Sequence, residues 1–213
     1  AQSAWTLGRT NLPDVRQGID IAYGNGRFVA VLNGGNSAPG IAWSTDGLAW
    51  NGVPTAPYGT DIRFLAGAFY LAAGNYLFRS GDGVTWTPVL ANTRGSLGRM
   101  ATDGRSLMIA MFGSAHTLLY STDRITFIET SPLPNTGPPN QSANVEAVAY
   151  VNGRYFAKAF VIAAGGLTAR DAFFVTPDAG ASWTTTNAVS GATYLVTGGG
   201  RLVAGGSFGG NTV

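Results

Sequence analysis

The chain has no cysteine, one histidine and few charges: Asp, Glu, Lys and Arg make up 11% of its 213 residues. Without cysteine there are no disulfides and no thiolate metal sites. The charged fraction is well under the usual quarter or so, and the formal net charge is only +2. Lys158 is the only lysine, and the arginines are scattered, so nothing resembles the clustered basic footprint of a nucleic-acid binder. No apolar run approaches the roughly 18 residues of a spanning helix, and no signal-peptide pattern opens the chain, so membrane insertion is not expected. Ala1 is a residue that remains after removal of an initiator methionine, which predicts a chain that begins here and folds in a cytoplasm. Disorder is excluded by a hydrophobic content of 45% with 11% aromatic residues. The 31 glycines then read as punctuation in a β-rich chain with many tight turns.

What is present is a repeat. Ser44-Thr45-Asp46-Gly47-Leu48-Ala49-Trp50 returns as Ser80-Gly81-Asp82-Gly83-Val84-Thr85-Trp86, and again as Ser121-Thr122-Asp123-Arg124-Ile125-Thr126-Phe127. Thr176-Pro177-Asp178-Ala179-Gly180-Ala181-Ser182-Trp183 is a fourth copy, one residue longer. Each copy suits a tight turn between two strands. The Asp carboxylate can accept backbone N–H groups of its own turn, with the Ser or Thr hydroxyl assisting. Gly takes the positive φ, and the aromatic residue folds back as an apolar plug whose indole N–H needs an acceptor. Recurrence at every turn assigns these aspartates to architecture rather than to catalysis or metal binding.

The pattern resembles the Asp box, S/T-x-D-x-G-x-x-W, of sialidase-like β-propellers. A second repeat precedes each box. Its copies are Ile21–Ala30, with Asn25-Gly26-Arg27 at the centre, a looser Phe64–Ala72, Met100–Ala110, Ala149–Ala157 and Leu195–Ala204. Asn-Gly, Asp-Gly or Gly-Gly between apolar β-formers predicts hairpins. Four strands per unit at a period of roughly 40 residues predict an all-β, five-bladed β-propeller of four-stranded antiparallel blades. The expected blades are 19–53, 61–90, 98–130, 145–186, and 193–213 completed by 1–8. Ala4-Trp5-Thr6-Leu7 resembles the strand after a box, so the N- and C-terminal strands are expected to close the last blade. The Arg that follows Gly in four of the hairpin turns reads as a solvated flank.

Binding is expected on the longer, more varied loops, where Tyr58, Arg94, Arg99, His116, Arg170 and Asp171 lie. The box residues Ser44, Asp46, Gly47, Trp50, Ser80, Asp82, Gly83, Trp86, Ser121, Asp123, Phe127, Thr176, Asp178, Gly180 and Trp183 are expected to be structural. Glu129 and Glu146 are the only glutamates, and Glu146 begins a predicted inner strand from which it could face the central channel. No catalytic residue, metal or cofactor is assigned. The combination of G-N-G-R-F-V-A-V with S-T-D-G-x-x-W also resembles repeats of bacterial and bacteriophage propeller modules, virion tail and fibre proteins among them. That resemblance implies a non-enzymatic virion component, tail, fibre or decoration. Its partners would be other virion proteins, copies of itself, or a host-surface glycan. It would be assembled in a bacterial cytoplasm; a bacterial surface or secreted location is the alternative. Two other functions stand beside it: a glycan-binding lectin, and a sialidase-like glycoside hydrolase, which needs a close carboxylate pair.

Overall fold

A computed structural model describes residues 12, 15–34, 39–92, 94–112, 117–134, 143–162, 169–186 and 192–206. Among these there is no helix. The first sheet runs β1 (Val15–Gly24), β2 (Arg27–Gly34), β3 (Ile41–Ser44) and β4 (Asn51–Val53), in that order. The second runs β5 (Asp61–Leu65), β6 (Ala68–Ala73), β7 (Tyr76–Ser80) and β8 (Thr87–Ala91). The third has β9 (Ser96–Thr102), β10 (Leu107–Phe112), β11 (Leu118–Ser121) and β12 (Ile128–Glu129). The fourth has β13 (Ala143–Val151), β14 (Arg154–Ile162), β15 (Ala169–Thr176) and β16 (Thr184–Thr186). β17 (Ala192–Gly198) and β18 (Arg201–Gly206) form a two-stranded sheet.

These up-and-down antiparallel sheets are the blades of a β-propeller, and their number accords with the five units expected. The predicted closing strand, 1–8, and the stretch after Gly206 lie outside the described residues.

The chain divides into two compact units, residues 1–73 with 78–88, and residues 74–77 with 89–213. In the first, the core holds Val29, Val31, Ile41, Val53, Ile62, Phe69 and Leu71. In the second, Met108, Leu118, Val145, Val148, Tyr155, Val161, Phe174 and Trp183 pack together. Second strands are covered on both faces: every residue of β6 is buried, as is every residue of β10 except the last. That is why Ala68–Ala73 and Leu107–Phe112 read as unbroken apolar runs. First strands of successive sheets touch each other: β1 meets β5 in the first unit, and β13 meets β9 and β17 in the second.

The hairpins between first and second strands are built on paired positive φ. Asn25 and Gly26 have φ of 49° and 77°, and Asn152 and Gly153 have 51° and 78°. This is the primed turn whose twist matches that of the strands. Each asparagine also reaches to the next sheet. Asn25 donates through Nδ2 to the carbonyls of Gly67 and Gly81, both at 2.9 Å, and Asn152 donates to that of Gly200 at 2.8 Å. The hairpin in the third sheet is longer: Thr102 pairs with Leu107, and Asp103 Oδ1 accepts the N–H groups of Arg105 and Ser106 at 2.8 and 2.6 Å. Arg27 is more than a solvated flank. Its guanidinium lies 4.6 Å from the centre of the Trp43 ring and donates to the Asp82 carbonyl at 2.8 Å.

The turns between third and fourth strands share one hydrogen-bond pattern. Asp46 Oδ1 accepts from the N–H groups of Leu48 and Ala49 at 2.8 and 2.9 Å, and from the Ser44 hydroxyl at 2.9 Å. Asp82 repeats this with Val84, Thr85 and Ser80, and Asp123 with Ile125, Thr126 and Ser121. In the longer copy Asp178 accepts from Ser182 N–H at 2.9 Å and from the Thr176 hydroxyl at 2.6 Å. Where the third copy lacks glycine, Arg124 itself takes a φ of 64°. The aromatic residues differ more. Trp50 Nε1 donates to the Gly47 carbonyl at 3.1 Å, whereas Trp86 and Trp183 bury their indole N–H without a partner among the described residues.

Two measurements test this account. Gly47 and Gly83 share a φ near 75° (76° and 74°), but a Cβ on Gly83 would stand 2.4 Å from Val29 Cγ2, while one on Gly47 meets nothing closer than 3.7 Å. Urea unfolding should show Gly47→Ala losing about 1 kcal/mol to the left-handed backbone. Gly83→Ala should lose a further 1–3 kcal/mol or so to overpacking. The hydrogen bonds within the turns also lower the carboxyl pKa values of Asp82, Asp123 and Asp178 to about 2, chiefly through Thr85 N–H, Ile125 N–H and the Ser182 hydroxyl respectively. A depressed folded pKa contributes stability above the unfolded value of 3.8 and loses it as pH falls towards 2. Thermal unfolding between pH 5 and 2 should therefore show a falling limb that Asp82→Asn makes shallower.

Candidate functional site

Among the described residues of the second unit, an ionic cluster joins the first three strands of the fourth sheet. β13 and β14 pair Val145 with Ala159 and Ala147 with Lys158, which leaves Glu146 as the extra residue of a bulge. Bulges re-aim side chains and are common beside functional sites. On the other side Lys158 pairs with Phe173, and Phe160 pairs with Asp171. Side chains at Phe160 and Asp171 share a face with Lys158, so register alone brings Asp171 diagonally beside the lysine.

The Lys158 ammonium contacts Asp171 Oδ1 at 2.7 Å and also Glu146 Oε2. Side-chain exposure grades across the group, 3% for Lys158, 13% for Asp171 and 34% for Glu146. Burial opposes the ammonium, but the hydrogen bonds it donates to Asp171 and Glu146 outweigh that and raise the Lys158 pKa above its ordinary 10.5. Two carboxylate oxygens that touch one nitrogen lie within roughly 5.5 Å of each other, so the pair is no wider than a retaining glycosidase requires.

The first unit has a parallel arrangement. Asp20 in β1 and Asp61 in β5 both bind Arg63, at 2.8 and 3.1 Å. Asp20 Oδ1 accepts Ile21 N–H at 2.9 Å and Oδ2 accepts Ile62 N–H at 3.0 Å. Asp61 is fully buried. Arg63 binds both carboxylates, and Asp20, which also accepts from the backbone of β5, joins the first strands of two sheets.

The loop residues expected to bind fall on several elements. Tyr58 lies between β4 and β5 and is 57% exposed. Arg94 pairs with Glu129 at 3.0 Å, an exposed contact that also includes the Thr117 hydroxyl at 3.5 Å. Arg99 is in β9, and Arg170 and Asp171 are in β15, so all three belong to strands rather than loops. Arg170 pairs with Val161 through its backbone. His116 lies outside the described residues. Asp171 enters a cluster with a buried charge, that of Lys158.

Lys158, at the centre of this cluster, is not among the residues expected from the sequence to form a site. Its signal was present: it is the single lysine of the chain, and it interrupts the apolar strand Arg154–Ile162. Among the described residues no group of three or more His, Cys, Asp or Glu side chains could hold a metal ion.

No family model matches the chain, and no curated protein matches it by sequence. Its fold is similar to several solved propellers. The Penicillium chrysogenum α-L-arabinanase complexed with arabinobiose has a TM-score of 0.55 at 14% identity, covering 94% of this chain and 78% of that one. The Fusarium graminearum α-L-arabinofuranosidase has a TM-score of 0.53 at 14% identity, covering 94% and 77%. The extracellular domain of a one-component system from B. thetaiotaomicron has a TM-score of 0.63 at 14% identity, but only 25% of that chain is covered. At such identity the likeness establishes the β-propeller fold. It overturns the expectation of a non-enzymatic virion component: these likenesses run to carbohydrate-cleaving propellers and favour the hydrolase alternative over it.

Removing Lys158 should expose what it does. Lys158→Met leaves two carboxylates facing each other with no cation, and loss of a buried partner typically costs about 3–5 kcal/mol. Denaturant unfolding at pH 7 should show that loss.

Proposed function

We propose that the chain is a glycoside hydrolase acting on a polysaccharide of furanose sugars, with Glu146 and Asp171 as its acidic pair. The observation that carries the reading is the pair itself. Two carboxylates within retaining distance share one buried lysine, and one of them is thrust out by a bulge on a first strand. The sugar class follows the arabinofuranosidase named above and a Bombyx mori β-fructofuranosidase, whose TM-score is 0.53 at 13% identity; this chain covers 54% of the latter.

In this reading Asp171, the more buried member, stays ionised and attacks the anomeric carbon or stabilises the charge that develops there. Glu146, one-third exposed, gives its proton to the leaving oxygen and then takes one from the incoming water. Glu146 can carry that proton only when it has let go of Lys158, so the working state has the ammonium on Asp171 alone.

One observation favours a second reading, a lectin. As the cluster stands, Lys158 bridges both carboxylates, and oxygens held in this way suit hydrogen bonds accepted from sugar hydroxyls. Reducing-sugar release from linear arabinan and from fructan separates the two. Hydrolysis that falls at least about 100-fold in Glu146→Gln and in Asp171→Asn supports the hydrolase. Oligosaccharide binding without turnover supports the lectin, and release unaffected by both substitutions removes the site from either role.

A further inference from the structure

The tryptophan of a box turn sits beside the segment that leads into its own sheet in the first, second and fourth sheets, and that place is filled differently from one to the next. In the fourth sheet Trp183 is 8% exposed and belongs to one buried cluster with Leu133, which comes from the segment before β13 and is 3% exposed. In the second sheet the corresponding segment, between β4 and β5, offers Thr55 and Pro57 instead. There Thr55, Pro57, Phe78, Val84, Thr85 and Trp86 line a cavity of about 510 Å³.

The cavity rests on rigid elements. Phe78, Val84 and Trp86 pack against the core of the first unit. Val84 and Thr85 are pinned by their N–H groups to Asp82, each at 2.8 Å. The Thr85 hydroxyl adds a 3.3 Å bond to Asp82 Oδ2. No charged side chain lines the space, two aromatic rings form part of its wall, and two threonines supply hydroxyls. Its volume falls within the roughly 300–1,000 Å³ of small-ligand pockets.

We infer that this cavity binds a ring of a neutral sugar, stacked on Trp86 and hydrogen-bonded by Thr55 and Thr85. The apolar C–H face of a sugar ring suits an aromatic wall, and its rim of hydroxyls suits the threonines. An uncharged lining suits an uncharged ring, since a carboxylate or ammonium brought here would lose hydration without gaining a partner. The site lies in the first unit, apart from Glu146 and Asp171 in sequence and in sheet, and it needs no bond cleavage. It does not rest on the hydrolase reading.

Titration calorimetry and tryptophan fluorescence of the full chain test it, with arabinopentaose, a fructan pentamer and cellopentaose as neutral probes and a galacturonan pentamer as the charged control. At least one neutral probe should bind saturably and change the tryptophan emission. Thr55→Phe fills the cavity from an exposed position, much as Leu133 fills its counterpart. It should weaken binding tenfold or more while leaving the thermal midpoint unchanged. Trp86→Ala should do the same to binding, and Glu146→Gln should leave binding intact whether or not it abolishes hydrolysis. Three results overturn the inference: no neutral probe binds, binding survives Thr55→Phe, or the galacturonan binds as well as the neutral probes.

Discussion

In every four-stranded sheet an aspartate accepts the N–H groups of its own turn and so ties the third strand to the fourth. With no cysteine available, this local bond does the work of a crosslink at the rim of each sheet. It also sets where the following aromatic residue goes, because the chain leaves the turn in one direction only. The cost is chemical. Asp46, Asp82, Asp123 and Asp178 are spent on backbone donors, in a chain that has only 11 acidic residues. Asp103 is spent the same way in the hairpin of the third sheet. Chemistry must be built from the few acids left, and among the described residues those stand in ion pairs with Arg63, Arg94 or Lys158.

Much of the fold was legible because its signals are local. A box turn needs Asp two residues after Ser or Thr, and the hairpins at Asn25 and Asn152 need residues that tolerate positive φ. Both requirements fall within a few residues of sequence. The exceptions are local too: Ala66, Arg124 and Ala179 adopt positive φ without being glycine. Arg124 N–H donates to Ser121 Oγ at 2.7 Å, so the turn survives the loss of its glycine.

The site was much less legible. Glu146 could be placed on an inner strand, but the bulge that presents it depends on how β13 registers against β14, which no spacing reveals. Asp171 read as the end of a long loop, whereas β15 already begins at Ala169 and pairs along its whole length with β14. Lys158 meets both acids only through those two registers. The functional expectation failed for a related reason. Repeat turns of this kind carry architecture, and analogy drawn from them reached a virion role that the carbohydrate-cleaving propellers of similar fold do not favour.

The three box tryptophans are chemically similar residues in three distinct electrostatic settings. Trp50 has a carbonyl acceptor, Trp86 borders open space, and Trp183 is almost wholly enclosed. Indole N–H resonances report such settings one by one, and Trp43 in β3 adds a second reporter to the first sheet. The first, second and fourth sheets thus each hold at least one magnetic label by which they can be watched separately. Whether these sheets melt together or one at a time, a central question for any repeat architecture, can be read from the unmodified chain.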